Sequence, residues 1–306
     1  MKNFLYLLLV AMFSRSGSSC QSRRDDPSKA LNLVEFHSGT LPIILTVPHG
    51  GEIRHPDILN RMNGCRGTDG TCQFLKDPSC ASTTECKVVN FQDMSTIDIA
   101  WTVANQIEDT LGGRPFMVIS HLHRMKLDPN RELDEAAQGD EIATTAYLDF
   151  HNLINDTRAS IGTGILFDLH GQGHKQNSTE VGYRISTSEL NAGIVAAENS
   201  SIRALAERLN LPGNELIQGA QSFGALLEGQ GFRALPSPRQ PIPGEDKYYR
   251  GGYITNVHGS LNGGQVDAIQ LEMPSEWRYE GTLDQRNVFA KAVGEAIAEY
   301  YELHYL

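Results

Sequence analysis

The chain has 306 residues, with 26 basic and 37 acidic side chains, a formal net charge of −11 and five cysteines. Apolar residues make up 40% and charged residues 21% of the chain, a composition that is typical of globular proteins and excludes wholesale disorder or a collagen-like fibre. The acidic balance argues against a nucleic-acid-binding protein and against docking on anionic lipid. These numbers leave a soluble protein that is long enough to be an enzyme.

The first twenty residues have the order of a secretory signal peptide. Lys2 is followed by the apolar run FLYLLLVAMF and then by small polar residues up to Cys20. The run is too short to span a bilayer, which takes about 20 apolar residues. We therefore expect residues 1–20 to be removed and residues 21–306 to be secreted to the extracellular space as a single domain without a membrane anchor. A buried N-terminal helix is the alternative. Three sequons fit export and predict surface glycans: Asn155, Asn177 and Asn199.

The other four cysteines are close together, in a segment rich in Gly, Thr, Asp and Ser: Cys65, Cys72, Cys80 and Cys86. An oxidising compartment favours two disulfides among them, and three pairings are possible. A structural zinc site with four cysteine ligands is the alternative, but the spacings do not resemble the CxxC pairs of such sites. Residues 60–90 are therefore predicted to form a disulfide-stapled insertion.

Short apolar runs alternate with helical patterns along the rest of the chain. The runs that predict strands are 41–47, 116–122, 164–169, 181–186 and 268–273. Apolar residues at helical spacing predict helices over 97–111, 141–160, 200–209 and 284–301. This alternation indicates the α/β class with a largely parallel sheet. The Pro-rich segment 236–243 is expected to be a surface loop of the same domain.

Ionisable residues follow the predicted strands, and the carboxyl ends of strands border the ligand crevice in open α/β sheets. His49 and Glu52 stand three apart in a Gly-rich turn after the first strand, so both can point at one ion. His170 ends another strand and completes a two-histidine, one-glutamate set for a catalytic Zn²⁺ ion, with Asp168 behind it. A hydrogen-bonded structural histidine is the alternative for either ring, and we favour it for His174.

Two further strand ends carry candidates for substrate binding and proton transfer. Arg124, Asn130 and Arg131 lie in one loop, where an arginine fork suits a substrate carboxylate; a charged loop with local ion pairs is the alternative. Gln270 and Glu272 share one face of an apolar strand. A carboxylate is costly there unless it is paired or functional, so Glu272 is the candidate general base. The segment around 250–253 is Gly-rich and is expected to be a hinged loop that could close over a substrate.

The segments VPHGG, HRMKLDPNR, DLHGQGH and GGYITNVHG, followed by DAIQLEM, occur in the order of the N-formylglutamate amidohydrolase family. The chain resembles that family over most of residues 40–300. The resemblance implies a three-layer α/β/α sandwich with a mixed twisted sheet, similar to zinc carboxypeptidases and succinylglutamate desuccinylases. It also implies hydrolysis of an N-acyl amide bond. The residues that it assigns are the zinc ligands His49 and His170, Glu52 in the HxxE position, the general base Glu272, and the carboxylate-binding residues Arg124, Asn130 and Arg131.

We therefore expect a secreted amidohydrolase with one Zn²⁺ per chain. It would cleave an N-acyl amino acid, or a related small or peptide-like amide that bears a carboxylate, by metal-activated water. The alternative is a secreted, non-catalytic binding protein or extracellular matrix protein that retains the hydrolase fold. The joint presence of His49, Glu52, His170, Arg131 and Glu272 counts against that alternative.

Overall fold

The computed structural model describes residues 32–74 and 86–306. The expected signal peptide, residues 1–20, and Cys80 lie outside these residues. The strands described are β1 (Val34–His37), β2 (Ile43–Val47), β3 (Cys65–Arg66), β4 (Cys72–Gln73), β5 (Phe116–Ser120), β6 (Thr163–Gln172), β7 (Thr179–Gly182), β8 (Ala234–Leu235) and β9 (Gln265–Pro274).

Seven of the described strands form one mixed sheet in the order β1-β5-β2-β6-β9-β7-β8. The pairs β5-β2, β2-β6, β6-β9 and β7-β8 are parallel, whereas β1-β5 and β9-β7 are antiparallel. The edge strand β1 was not expected from the sequence, because its four residues VEFH contain no continuous apolar run and none of them is fully buried. Strand β7 ends at Gly182, earlier than predicted, and Arg184 two residues on has a φ of 70°, which a strand cannot contain.

Helices cover both faces of the sheet. They are α1 (Thr96–Leu111), α2 (Leu133–Ala137), α3 (Glu141–Ile161), α4 (Thr187–Asn191), α5 (Arg203–Leu209), α6 (Gly213–Ile217), α7 (Phe223–Gly229), α8 (Tyr253–His258) and α9 (Leu283–Tyr305), with 3-10 turns at Ala197–Asn199 and Ser260–Asn262 and a π turn at Glu276–Glu280. The longest helices begin at polar caps: Asp140 accepts from two backbone N–H groups of α3, and Thr282 forms a capping box with Gln285 at the start of α9.

Alternate residues of β2 contact opposite helical layers. Leu45 belongs to the apolar cluster that includes α1 and α9. Ile44 belongs to a second cluster, which includes Phe150 and Ile154 of α3. Because successive side chains of a strand point to opposite faces, a strand covered on both faces is mostly apolar, as β2 is apart from Thr46. The fold is therefore the expected three-layer α/β/α sandwich with a mixed, largely parallel sheet.

The parallel neighbours β2, β6 and β9 end at the same edge of the sheet. In their register Asp168 of β6 lies opposite Gln270 of β9, and His170 lies opposite Glu272. His49 follows β2 by two residues. The pairing of these three strands therefore brings residues that are far apart in the sequence to one edge of the sheet.

In the described part of the cysteine-rich segment, β3 and β4 form a small antiparallel hairpin. Cys72 and Cys86 form a disulfide, and Cys65 is also disulfide-bonded. The Cys72–Cys86 bond excludes the alternative in which these two cysteines hold zinc, and disulfides are typical of proteins that fold in oxidising compartments. Among the sequon residues, Asn155 and Asn199 are exposed and Asn177 is partly buried. Within the described ranges, no helix combines the length and the apolar character needed to cross a membrane.

The buried side chain of Arg61 closes the base of this insertion. Its guanidinium group donates to the carbonyl oxygens of Val89 and Arg124, at 3.0 and 3.1 Å, and the Asn90 side chain donates back to the Arg61 carbonyl at 3.1 Å. The same guanidinium lies 3.4 Å from the carboxylate of Asp128. Both ends of the insertion are therefore fixed to each other and to the loop that carries Asp128.

A pair of buried histidines joins α3 to α8. The Nε2–H group of His151 donates to the Pro129 carbonyl at 3.0 Å, which leaves its Nδ1 as the acceptor for the Nε2–H group of His258 at 2.7 Å. Both rings are therefore neutral in the folded chain. Burial is the main cause that lowers the pKa of His151, to about 4, and it also lowers the pKa of His258.

We expect this pair to make folding stability depend on pH. As the pH falls from about 6.5 to about 4, the unfolded chain binds a proton at His151 and the folded chain does not. The stabilisation that comes from the neutral ring is therefore complete above about pH 6.5 and is lost progressively down to about pH 4. His151 alone would contribute a loss on the order of 3 kcal/mol. Urea unfolding at pH 7 and pH 4.5 should show a smaller pH-dependent loss for His151→Leu than for the wild type. The less buried His55 is the control: His55→Leu should keep the wild-type pH dependence, and an equal loss in all three chains would contradict the prediction.

Candidate metal centre

Three buried side chains direct one donor atom each at a common point. They are His49 after β2, Asp93 before α1 and His170 at the end of β6, and their donor atoms lie close enough together to hold one metal ion. Nδ1 of His170 is 3.0 Å from Nδ1 of His49. Oδ2 of Asp93 is 3.2 Å from Nδ1 of His49 and 3.3 Å from Nδ1 of His170. Two imidazole nitrogens and one carboxylate oxygen are the donor types of a catalytic zinc site.

The outer hydrogen bonds of both rings fix which nitrogen faces this point. Nε2–H of His49 donates to Asp128 at 2.6 Å, and Nε2–H of His170 donates to Asp168 at 2.7 Å. A carboxylate only accepts, so each neutral ring carries its proton on Nε2 and presents the lone pair of Nδ1 inward. In that neutral state three acceptors face one another at about 3 Å, an arrangement that repels unless a metal ion or a shared proton lies between them. Carboxylate–histidine pairs of this kind orient metal ligands in proteins.

The excess of buried acidic side chains around the three donors also favours a bound cation. In the described residues the buried carboxylates here are those of Asp93, Asp128, Asp168 and Glu272. The buried guanidinium groups near them belong to Arg61, Arg124 and Arg278. Four acidic side chains against three guanidinium groups leave an excess of acids, and unpaired buried charge is costly. The same imbalance acts on His170: burial disfavours its charged form, but Asp168 and Asp93 outweigh burial and raise its pKa to about 10. The residues present therefore fit a divalent metal ion.

Close backbone packing places the two donors that do not lie on a strand. A Cβ atom on Gly51 would come within 2.2 Å of the His121 backbone, so only glycine allows the turn after His49 to pack there. The loop before α1 folds back on this turn, because the Asp93 N–H donates to the His49 carbonyl at 3.0 Å. Oδ2 of Asp93 also accepts from the Gly171 N–H at 3.1 Å. His49, Asp93 and the end of β6 are thus held to one another by main-chain hydrogen bonds.

The structure differs from the sequence-based expectation at the third ligand. Glu52 is exposed and does not belong to the group of convergent donors, whereas Asp93 does. The acids that the strand pattern singles out lie beside strand ends, whereas Asp93 follows the cysteine-rich insertion. Its one signal is its position three residues before the first residue of α1, which many acids share.

The metal-ligand group opens on a cavity of about 380 Å³. Predicted residues that line it include Arg124, Asn130, Arg131 and Glu272. The Asn130 side chain is hydrogen-bonded within the protein: its Nδ2 group lies 3.3 Å from Oε1 of Gln270, and its Oδ1 accepts from the Ile254 N–H at 2.9 Å. Its role in this geometry is to brace the cavity wall.

Both arginines of the predicted substrate loop are held by acids of the protein. Nε of Arg124 donates to Asp128 at 2.9 Å, and its Nη1 lies 3.7 Å from Asp93. Nε of Arg131 donates to Glu135 at 3.2 Å, and its Nη1 donates to the Asn130 carbonyl at 2.7 Å. The sequence alternative of a charged loop with local ion pairs is therefore realised here, in residues that also face the cavity.

Glu272 lies beside His170 on the neighbouring strand, buried at the bottom of the cavity wall. It accepts from the Gln270 amide at 2.9 Å. Burial raises the pKa of Glu272, and the charges of His170 and Arg124 oppose that rise. His174 stands apart from the donors, as expected. It pairs with Glu180 at 2.7 Å and stacks on Tyr249.

Comparisons with known proteins yield distant likenesses. No family model matches the chain, and no curated protein matches it by sequence. A solved N-formylglutamate amidohydrolase from Ralstonia eutropha JMP134 aligns at 13% identity and a TM-score of 0.46, over 88% of this chain and 98% of that one. An N-acetylmuramyl-L-alanine amidase from Mycobacterium abscessus aligns at 11% identity and a TM-score of 0.37, over 84% and 97%. The same type of amidase from Mycobacterium smegmatis aligns at 13% identity and a TM-score of 0.35, over 85% and 97%. Because these likenesses are distant, the function of this chain is inferred from its own residues.

Metal content identifies the ligands. The purified wild-type chain should bind about one Zn²⁺ per molecule, and His49→Ala, Asp93→Ala and His170→Ala should each lose it, because each removes one of three convergent donors. Glu52→Ala is the matched control and should retain the metal. Elemental analysis of the four variants separates the two ligand sets: loss of zinc in Glu52→Ala with retention in Asp93→Ala would contradict the geometry.

A further prediction concerns the carboxylate behind His170. Asp168→Asn removes the acceptor that fixes the tautomer of this ring, so Zn²⁺ affinity should fall by about 10- to 100-fold. Thr46 donates to the other oxygen of Asp168 at 2.7 Å, and Thr46→Val is the control, because the contact between Asp168 and His170 remains. Competition with a zinc chelator measures both affinities. An unchanged affinity in Asp168→Asn would show that Asp168 does not position the ring.

Proposed function

We propose that this protein is a zinc-dependent hydrolase that cleaves the amide bond of an N-acyl amino acid or a related carboxylate-bearing amide. The observation that carries the proposal is the convergence of His49, Asp93 and His170 on one point at the base of a cavity, with Glu272 beside them. Three protein donors leave a coordination position open, which distinguishes catalytic zinc sites from structural ones. The order of the sequence motifs supports the same class of reaction.

His49, Asp93 and His170 would hold the ion, and Asp128 and Asp168 would orient the two rings. When bound, Zn²⁺ supplies a Lewis acid that polarises an amide carbonyl and makes water nucleophilic at neutral pH. Removing an outer carboxylate would turn a ring away from the ion, so these acids act through the ligands that they hold.

Glu272 is the group of this chain that moves the proton. Its ionised carboxylate takes a proton from the attacking water and delivers it to the nitrogen that leaves as the amide C–N bond breaks. The Gln270 amide hydrogen-bonds one oxygen of Glu272 and so fixes the orientation of the carboxylate. The register opposite His170 keeps Glu272 next to the metal ligands.

Export is part of the proposal. The apolar run after Lys2 and the small residues up to Cys20 support a signal peptide. The Cys72–Cys86 disulfide supports folding in an oxidising compartment. We infer that the mature chain works outside the cell, with glycans at the exposed sequons, and that its substrates are extracellular.

The proposal is tested by hydrolysis of N-formyl and N-acetyl amino acids by the zinc-loaded chain, with release of the free amine as the readout. Glu272→Gln should keep the metal and lose turnover by about 10²- to 10⁴-fold, because the amide cannot take up the proton. Glu302→Gln, an exposed glutamate on α9, is the matched control and should retain turnover. Full turnover in Glu272→Gln would exclude this residue as the base. A zinc-loaded wild type that hydrolyses no member of the panel would count against the function itself.

A further inference from the structure

One segment of the cavity wall, residues 248–252, is held in place by three hydrogen bonds of its backbone. The Tyr249 N–H donates to the buried carboxylate of Glu180 at 2.7 Å. The Arg250 carbonyl accepts from the Arg184 N–H at 2.6 Å, and the Gly252 N–H donates to the Gln270 side chain at 2.7 Å. This wall segment is the Gly-rich stretch that the sequence suggested as a hinged loop, and in the structure it is tied to the sheet.

Close packing against β7 adds to this restraint. A Cβ atom on Gly182 would lie 2.5 Å from the Gly251 nitrogen, so the wall segment and the strand touch through their backbones. Gly251 has a φ of 109°, in the range that favours glycine. The Cα position of Arg250 is therefore set by its neighbours on both sides.

The cavity is lined by Arg124, Arg131 and Arg250 among the described residues, and these arginines are not equivalent. Arg124 and Arg131 each use their Nε–H group on an acid of the protein, Asp128 and Glu135 respectively. The charge that they offer to a ligand is thus already compensated. An anionic ligand would have to compete with these internal pairs for either guanidinium.

Arg250 differs because, within the described chain, its side chain makes no hydrogen bond and no ion pair. The carboxylate of Glu189 feels its charge, but that carboxylate is engaged with Ser186 in the capping box of α4. The Arg250 side chain is exposed and faces the cavity that contains the metal donors. A planar guanidinium on a fixed backbone is suited to bidentate binding of a carboxylate, since little order has to be gained on binding.

We propose that Arg250 is the residue that recognises the substrate carboxylate and so selects N-acyl amino acids with a free acid group over their neutral amides. This inference rests on the proposed function for the identity of the substrate. It assigns to Arg250 the role that the sequence suggested for Arg131, with Arg131 stabilising its own loop through Glu135. The carboxylate would bind to the Nη and Nε protons of Arg250 at one end of the cavity, and the scissile amide would lie at the metal donors.

The test is equilibrium binding of N-formyl-L-alanine and its neutral counterpart N-formyl-L-alaninamide, measured by calorimetry on the zinc-loaded full chain. The small side chain of alanine keeps steric effects low in a cavity of about 380 Å³. The wild type should bind the acid about 10- to 100-fold more tightly than the amide, the range for hydrogen bonds to a charged group. Arg250→Gln should bind the two probes equally, through a loss of affinity for the acid alone.

Two further variants make the outcome specific. Arg131→Gln should keep the preference for the acid, and so should Arg239→Gln, an exposed arginine outside this cavity. Equal zinc content and equal circular dichroism show that each variant is folded. The proposal is overturned if the wild type shows no preference or no binding, or if Arg131→Gln rather than Arg250→Gln abolishes the preference.

Hydrolysis of both probes by the same samples separates this inference from the proposed function. Preferential binding of the acid without hydrolysis would leave the role of Arg250 in place and count against the hydrolase. Hydrolysis of acid and amide with equal efficiency, and without preference in binding, would support the hydrolase and refute the role of Arg250. A carboxylate preference in KM that Arg250→Gln removes, with kcat little changed, would support both.

Discussion

Two hydrogen bonds between carboxylates and histidines determine what the edge of this sheet can do. Asp128 and Asp168 hold the outer protons of His49 and His170, so both rings present lone pairs to the space that Asp93 also faces. Buried acceptors that point at one another are tolerated only around positive charge. The outer carboxylates thus determine how the two rings are oriented, and Asp128 and Asp168 belong to the centre as much as the rings do.

The sheet makes this arrangement rigid. Strands β2, β6 and β9 are parallel neighbours, and their register places His170 beside Glu272 and Asp168 beside Gln270. The Gln270 side chain connects β9 to the cavity wall, because it donates to Glu272 and accepts from the Gly252 N–H of the wall segment. The proposed proton-transfer group, a candidate metal ligand and the cavity wall are therefore positioned by one strand pair. Sites built on regular elements hold their geometry better than sites on loops.

Much of the fold could be predicted from the sequence, since its central strands contain short apolar runs and its long helices have clear periodicity. The two histidines could be predicted as well, because each follows such a strand. Asp93 could not, because it lies in an irregular segment and reaches the centre only through contacts with the turn at His49. Glu52 shows the opposite case: its spacing from His49 suits a metal, but its side chain is exposed and lies outside the group of convergent donors. The role of Asp128 was missed because its loop resembled a substrate-binding motif, and spacing does not show which way a carboxylate points.

The hydrogen bonds of Arg61 bear on how this molecule can change. By joining Val89 and Asn90 to the base of the same segment, Arg61 closes the intervening chain into a loop whose ends are fixed whatever it contains. The entropy of closing a loop grows slowly with its length, so residues could be gained or lost there at small cost to stability. Arg61 also contacts Asp128. Changes of length between Arg61 and Val89 would therefore leave the candidate metal donors in place. The insertion is thus a part of the surface that evolution can rebuild while the chemistry beneath it stays the same.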